Sequence, residues 1–449
     1  MSVLDKLPEE ILKEYNTPHQ VYALASSPEA KIKLGIEKEK EVVGKAPESV
    51  LKAEALSEDE FRDFEVYTAQ INPAFMINPQ TWMLGATRAM LGLKLDKITA
   101  TPSISRFYYK LWDILTSLPV IPKEFVCGKP SCMVSATLGE DPGGFTQALI
   151  HYRRRFFPDQ FDKDKVLGVQ SEAREQTGNE KSFLELYGAN TGKIKIYHST
   201  KNGDLTQPEV LYEFVKLFAE EPADLVTADI CLDMSIKDKK ERYVKFSRQL
   251  FSEILATFSI QKKGGNSIIK VFLDKSRITA DLIHLVRSHY EKVVMVKPVT
   301  SIITSEEVYL VGMGFKGVSA KTLKALQGVH EKWEACEAVT SILDEKEKEM
   351  AEMAMNDTEK LYSQFYKWQE ELYERGLFLL RERQKGEKEK EMAKQEIMKK
   401  ICVNIFYAVD WCVEKDVYLK GQYYLLRSPD RRPYKKDHAC FEILGKKEE

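Results

Sequence analysis

No run of about 18 apolar residues, the length a membrane-crossing helix needs, occurs anywhere in the 449 residues. The chain opens on the polar, charged MSVLDKLPEEILKEY, without the basic start and apolar centre of a secretion signal. These absences argue against helical membrane insertion and predict a soluble intracellular protein, in cytoplasm or nucleus. Charge of one sign is missing too: Lys plus Arg is 67 against 69 for Asp plus Glu, so any nucleic-acid site must be a local patch. The seven cysteines are odd in number and widely spaced, which fits free thiols in a reducing compartment better than a disulfide framework. No Cys and His cluster has zinc-ligand spacing, so no metal is expected. No internal repeat is present.

What is present falls into blocks. Residues 1–70 are rich in Lys, Glu and Ala, with short apolar intervals such as Val21-Tyr22-Ala23-Leu24, and read as an N-terminal helical extension. A helical lead-in spans 71–123, with helices expected around Thr81–Leu93 and Ser105–Leu115 from apolar and aromatic residues at helical spacing. From 124 to 318 short apolar runs alternate with helical stretches, as in a parallel sheet with crossover helices. Strands are expected at Cys132–Thr137, Lys165–Val169, Asp224–Asp229, Ser267–Phe272, Lys292–Val296 and Val308–Gly312. Helices fall at Gly144–Arg155, Pro208–Glu220, Lys239–Ile260 and Thr279–Tyr290. This is the pattern of a doubly wound α/β domain. Between Ser319 and about Val417 Gly and Pro almost vanish, while Leu361, Phe365, Trp368, Leu372, Leu377 and Leu380 recur among dense Glu and Lys. Residues 319–420 therefore read as a long helical appendage, and 421–449 as a basic, Tyr-rich tail.

Four local features carry chemistry. Leu138-Gly139-Glu140-Asp141-Pro142-Gly143-Gly144-Phe145 ends the first strand of that domain and opens a helix. Glycines there let backbone approach a ligand, and the helix start offers free amides; an ordinary Pro-Gly turn would look the same. It lacks the Gly-x-Gly-x-x-Gly spacing of a dehydrogenase loop. Asp229 stands at the carboxyl end of the apolar strand Asp224–Asp229, the edge where open α/β sheets bind ligands, although an Asp can also simply cap a turn. Gly264-Gly265-Asn266-Ser267-Ile268-Ile269-Lys270 repeats the arrangement, with a lysine at that edge that is either partnered or snorkelling to solvent. Lys297-Pro298 follows another strand, and Glu307 and Tyr309 open the last one on one face, with Val308 on the other.

In this order the features resemble the FtsJ-like 2'-O-methyltransferases, a family with a doubly wound, Rossmann-like S-adenosylmethionine-binding sheet and a Lys-Asp-Lys-Glu catalytic tetrad. The resemblance covers about residues 105–317 and rests on Pro-Gly-Gly-Phe, Ala-Asp, Gly-Gly-x-x-x-x-Lys, Lys-Pro and Ser-x-Glu-x-Tyr. Position by position, Asp229, Lys270 and Glu307 match the last three tetrad members. The first lysine is best matched by Lys110 in Phe-Tyr-Tyr-Lys-Leu-Trp, with Lys129 a second candidate nearer the first strand. Gly139, Glu140, Pro142, Gly143, Gly144 and Phe145, with Asp204 of Gly-Asp-Leu-Thr and Asp229, are what the resemblance implies for S-adenosylmethionine binding. Glu140 and Asp141 stand where the family has small residues, which sets two carboxylates beside the methionine end of the cofactor. The intervening insertions and helical extension look most like the mRNA cap methyltransferases of eukaryotes and large DNA viruses, for which the virion or viral factory is a further location.

The expected reaction moves a methyl from a sulfonium to a ribose hydroxyl, an in-line displacement governed by alignment. Lys270 is expected as the general base, tuned by Lys110, with Asp229 and Glu307 orienting the lysines. The partner is RNA, capped mRNA in particular, with Arg106, Tyr108, Tyr109, Arg153, Arg154 and Arg155 as candidate contacts or, for the arginines, a solvated helix end. A catalytically inactive methyltransferase-fold subunit that binds RNA or scaffolds other enzymes is the alternative. Residues 319–420 suit a protein partner, self-association or packing on the enzyme domain equally well.

Overall fold

The computed structural model describes residues 20–24, 32–35, 47–77, 86–87, 91, 97–101, 103–127, 132–140, 143–169, 194–197, 203–233, 235–274, 276–302, 305–333, 339–344 and 348–421. The strands are β1 (Gln20–Leu24), β2 (Ile32–Gly35), β3 (Val134–Leu138), β4 (Lys165–Val169), β5 (Ile194–Tyr197), β6 (Ala223–Ala228), β7 (Gln261–Phe272), β8 (Tyr290–Lys297), β9 (Glu307–Phe315) and β10 (Ser341–Leu343). Eight of them make one sheet in the order β1-β8-β9-β7-β6-β3-β4-β5, and β2 pairs with β10. Strands β5, β4, β3, β6 and β7 run parallel, whereas β9 is antiparallel to both β7 and β8. Every residue of β3 and β6 is buried, as strands covered on both faces require. The chain runs outward from β3 through β4 to β5, then returns to β6 on the other side of β3. The crevice where those two paths part is the place an open sheet offers to a ligand.

The helices longer than four residues are α1 (Glu48–Glu54), α2 (Glu58–Ile71), α3 (Phe107–Ser117), α4 (Gly144–Phe156), α5 (Pro208–Lys216), α6 (Lys239–Ile260), α7 (Arg277–His289), α8 (Ala320–Trp333), α9 (Lys348–Arg383) and α10 (Glu387–Glu414). One apolar core joins α5, α6, α7 and α8 to one face of the sheet, and a second joins α3, α4 and α10 to the other. A third, smaller core holds α2 against α9 and α10. Contact between α2 and α9 depends on Gly376, where an added Cβ would lie 2.7 Å from Thr68 Cγ2 and 2.8 Å from Phe64 Cε2. Asn404 of α10 donates to the Gln70 carbonyl at 2.6 Å. The appendage thus packs on the lead-in and on the sheet. Among the described residues no helix is long and apolar enough to cross a membrane.

The doubly wound class holds, with differences at its margins. Within 1–70, expected to be helical, Gln20–Leu24 is an edge strand on β8 and Ile32–Gly35 pairs with β10. Strand β5 falls where no element was expected. Strand β7 begins at Gln261, six residues before the expected Ser267, because Gln261 already pairs with Ala223 of β6; the register then shifts across Lys262–Gly265 and regular pairing resumes at Asn266 opposite Leu225. The appendage carries β10 and divides at Gly386, the N-cap of α10. Most of Thr81–Leu93, and the tail beyond Gly421, lie outside the described residues.

Candidate active site

Helix α3 is buried from Phe107 to Thr116, wedged between the sheet and α4. Tyr108 and Trp112 stack with centroids 5.7 Å apart, and Tyr152 of α4 meets Trp112 edge-on at 5.9 Å. So close an approach requires Gly144: a Cβ there would lie 2.1 Å from Ser105 Oγ and 2.9 Å from the Tyr108 nitrogen. Lys110, only 4% exposed on this helix, needs an anion, since a buried lone charge is costly. It has one in Glu307, whose carboxylate oxygens accept from Lys110 Nζ at 2.6 and 2.8 Å.

Because β9 is antiparallel to β7, its first residue lies at the edge where β7 ends. The register sets Tyr309 opposite Lys270 and Glu307 opposite Phe272. Residues two apart share a face, so Glu307, Tyr309 and Lys270 line up on one side. Lys270 is fully buried and donates to Asp229 Oδ1 at 2.7 Å, to the Asp229 carbonyl at 3.0 Å and to Cys231 Sγ at 3.4 Å. It lies 3.9 Å from Glu307 Oε2. The Tyr309 hydroxyl donates to Asp229 Oδ1 at 2.9 Å, and Ser301 Oγ to Glu307 Oε1 at 2.9 Å. The Phe107 ring centroid is 4.9 Å from Lys110 Nζ and 4.7 Å from Lys270 Nζ, a cation–π contact with each ammonium. Lys110, Asp229, Lys270 and Glu307 therefore meet in one cluster; Lys129 lies outside the described residues.

Two cations beside two anions settle the protons unevenly. Burial lowers the Lys110 pKa more than Glu307 raises it, leaving it below the ordinary lysine value. Burial also pushes Lys270 down, but Asp229, the Cys231 thiol and Glu307 outweigh it and hold that amine above the lysine range. Asp229 is raised, chiefly by burial. Burial raises Glu307 as well, but three lysines (110, 270 and 297) overcome it and keep the carboxylate well below its usual range. Lys297, at the end of β8, is pushed down to about 7 by burial. Its Nζ donates to the carbonyls of Ser305 at 2.6 Å and Glu307 at 2.7 Å, clamping the start of β9.

The glycine loop lies at the switch point. The Asp229 amide donates to the Leu138 carbonyl at 3.1 Å and the Gly139 amide to Val169 at 3.1 Å, so the ends of β6, β3 and β4 are drawn together. Gly139 at φ +61° and Gly143 at φ +103° occupy the left-handed region that other residues avoid. Glu140 is buried and accepts from the amides of Phe145 and Thr146 (the latter at 3.0 Å) and from Thr146 Oγ1 at 2.8 Å. Glu140 thus caps α4 from inside, and burial raises its pKa to about 8. Asp141 and Pro142 lie outside the described residues. Phe145 packs on Tyr309, centroids 5.8 Å apart, which ties the loop to the tetrad. Asp204 makes its described contacts within its own turn, accepting from the Thr206 amide at 3.0 Å and Oγ1 at 2.8 Å. The left-handed turns at Gly139 and Gly143 stand at the switch point beside Asp229, where an open α/β sheet takes a nucleoside ligand, so these residues fit the cofactor the resemblance implies.

Sequence reasoning missed a buried acid beside the glycine loop. Glu253 of α6 is fully buried, and neither carboxyl oxygen has a hydrogen bond of full geometry. Its Oε1 would lie 2.4 Å from a Cβ on Gly139, and burial holds its pKa well above the carboxylate range. The available signal was a Glu on the core stripe Phe246, Leu250, Glu253, Thr257, Ile260. The arginines proposed for RNA are placed differently from that expectation. They occupy the last turn of α4, roughly 14 to 17 Å from its glycine end at about 1.5 Å per residue. Arg153 is bidentate to Asp164 at 2.7 and 3.1 Å, Arg154 covers Phe161, and Arg155 pairs with Asp416. Tyr109 is held by Thr99 and Thr101, Tyr108 contacts His151, and Arg106 lies over the Phe107 ring, 5.5 Å from its centroid.

Residues 103–315 match the family FtsJ-like methyltransferase. An uncharacterized protein of Acanthamoeba polyphaga mimivirus is 24% identical over 233 residues, 50% of this chain and 27% of that protein. The cap-specific mRNA (nucleoside-2'-O-)-methyltransferase 2 of Drosophila melanogaster is 24% identical over 236 residues, 49% of this chain and 31% of the relative. The ribosomal RNA large subunit methyltransferase E of Stutzerimonas stutzeri is 32% identical over 116 residues, 26% of this chain and 54% of the relative. The chain thus spans between about a quarter and a half of the length of these relatives.

Proposed function

Since residues 103–315 make an FtsJ-like methyltransferase domain, we propose that the chain methylates the ribose 2'-hydroxyl of RNA, with S-adenosylmethionine as donor and capped mRNA as substrate. The observation that carries this reading is the meeting of Lys110, Asp229, Lys270 and Glu307 beside the glycine loop at the switch point. The loop from Gly139 to Phe145, Asp204 and Asp229 would hold the cofactor, which when bound supplies a methyl group on a sulfonium cation. The tetrad holds the hydroxyl in line and accepts its proton. Support for a capped substrate comes from relatives named for it, such as the Drosophila protein.

The resemblance assigns the proton to Lys270. One observation favours Lys110 instead: Asp229, Cys231 and Glu307 around Lys270 hold its pKa above the lysine range, while burial leaves that of Lys110 below it. The pH dependence of kcat separates them. A base held above the lysine range gives turnover still climbing at strongly alkaline pH, whereas a lowered one levels off sooner, and Lys110→Met then removes the plateau.

The deciding experiment measures methyl transfer to short capped and uncapped RNA, with cofactor affinity by calorimetry. Transfer to the 2'-hydroxyl of capped RNA, absent without the cap, is expected. Undetectable cofactor affinity would overturn the proposal in favour of an inactive RNA-binding or scaffolding subunit.

A further inference from the structure

Asp113 lies three residues after Lys110 on α3 and is 1% exposed. Its Oδ2 accepts from the Val299 amide at 2.8 Å, and its Oδ1 from Trp411 Nε1 of α10 at 3.1 Å. Val299 opens the turn after β8, in which the Ser301 amide donates to the Pro298 carbonyl at 3.0 Å. Ser301 Oγ then donates to Glu307 Oε1, the oxygen that also takes Lys110 Nζ at 2.6 Å. The contacts close a ring from α3 through Asp113 to the 298–301 turn, from the turn to Glu307, and from Glu307 back to α3 at Lys110. Moving Asp113 therefore changes the spacing between the two halves of the Lys110–Glu307 pair.

The outer side of this ring is held by the appendage. Trp112 Nε1 donates to the Lys415 carbonyl at 2.8 Å, and Lys415 Nζ donates to Ser117 Oγ at 2.9 Å. Leu419 bridges Thr99, the residue that holds the Tyr109 hydroxyl. One end of α10 thus grips α3 along its length, and its Trp411 hydrogen-bonds the carboxylate that reaches the 298–301 turn.

We propose that Asp113 is a positioning residue for the Lys110–Glu307 pair and that Trp411 fixes it, which makes the C-terminal helix a working part of the active site. The inference rests on the reading of that site as a methyltransferase centre. Its test compares the full chain with Trp411→Phe, which keeps most of the ring and removes the N–H, and with Asp113→Asn, which cannot accept both bonds. Expected is a fall in kcat of about tenfold for Trp411→Phe and more for Asp113→Asn, the factor that a hydrogen bond to a charged group represents. KM for RNA and for S-adenosylmethionine should stay put, and the pH at which kcat levels off should shift, which a merely structural loss would not produce. Unchanged kcat and pH profile in both variants would overturn the proposal. Hydrogen exchange at the Val299 amide is the second readout. Faster exchange in Trp411→Phe supports the brace even if the parent chain transfers no methyl, in which case only the functional reading fails. Unchanged exchange counts against the brace whatever the activity.

Discussion

The two edges of the central sheet bury charge by different rules. At the amino edge of β3, β4 and β6 each acid has its own cation and a backbone amide. Asp164 takes Arg153 at 2.7 Å and the Met133 amide at 3.2 Å; Asp224 takes Lys262 at 3.0 Å and the Val134 amide at 2.9 Å. At the carboxyl edge Lys110, Lys270, Asp229 and Glu307 share one cluster, with Glu140, Glu253 and Lys297 buried in the same region. There Lys297 is driven down to about 7, Glu140 up to about 8, and Glu253 has no full hydrogen bond. Local one-to-one pairing serves stability, while a shared surplus of buried charge leaves protons movable, which is what chemistry at neutral pH needs.

The sharpest way to break that contrast is to remove one charge from each edge. At the carboxyl edge, Lys270→Met should cost about 10³-fold in kcat, within the range a positioned proton acceptor or orienting cation contributes. The fold should survive, because Asp229, already raised by burial, takes a proton instead of remaining a bare anion. Single-turnover methyl transfer and a thermal melt on the same preparation check both halves. A variant that unfolds while its folded fraction keeps full turnover would erase the distinction.

At the amino edge the outcome should reverse. Arg153→Met strands Asp164 in a site 4% exposed, and removing one member of a buried pair costs about 3–5 kcal/mol. Urea unfolding should register that loss, and kcat per folded molecule should be unchanged. If turnover fell with stability intact, the arginines of α4 would belong to the RNA path after all.

Legibility in the sequence follows the same division. Asp229 and Lys270 were readable because each stands toward the end of an apolar strand, and parallel strands end at one edge; Glu307 begins a strand, reaches that edge only because β9 runs antiparallel to β7, and was readable through the resemblance. Lys110 was readable only through the resemblance: nothing in a helix of Tyr, Trp and Leu says that its lysine faces a glutamate 197 positions later. The arginines of α4 were misplaced because charge type was read without the helix's length, which carries its last turn to the other side of the domain. Strand β1 was hidden for a related reason. Its five residues sit among Lys and Glu, and their partners are residues 293–297, so only the edge of a finished sheet makes them a strand. Asp113 could not be singled out in advance, since its two partners come from β8's turn and from α10.

The smallest predicted effect is a proton at Glu140, and it separates the edges by pH. A carboxyl with a folded value near 8 and an unfolded value near 4.5 keeps a proton in the folded chain that the unfolded chain releases. Stability should therefore fall as pH rises between those values, by about 2 kcal/mol from pH 5 to pH 7 at 1.4 kcal/mol per unit, less whatever the cap recovers. Other groups titrate nearby. His151 and His284 are lowered to about 4 by burial and act in the opposite sense below about 6.5, and Lys297 adds stability only as pH rises above 7. The informative quantity is consequently the difference between the parent and Glu140→Gln, in which a neutral amide oxygen can still accept from the amides of α4. Denaturant midpoints at pH 5, 6 and 7 should show that difference shrink at low pH and grow in favour of the variant toward neutrality. A difference that stayed flat over that window would mean that Glu140 is ionised throughout, a fixed helix cap like the paired acids of the amino edge.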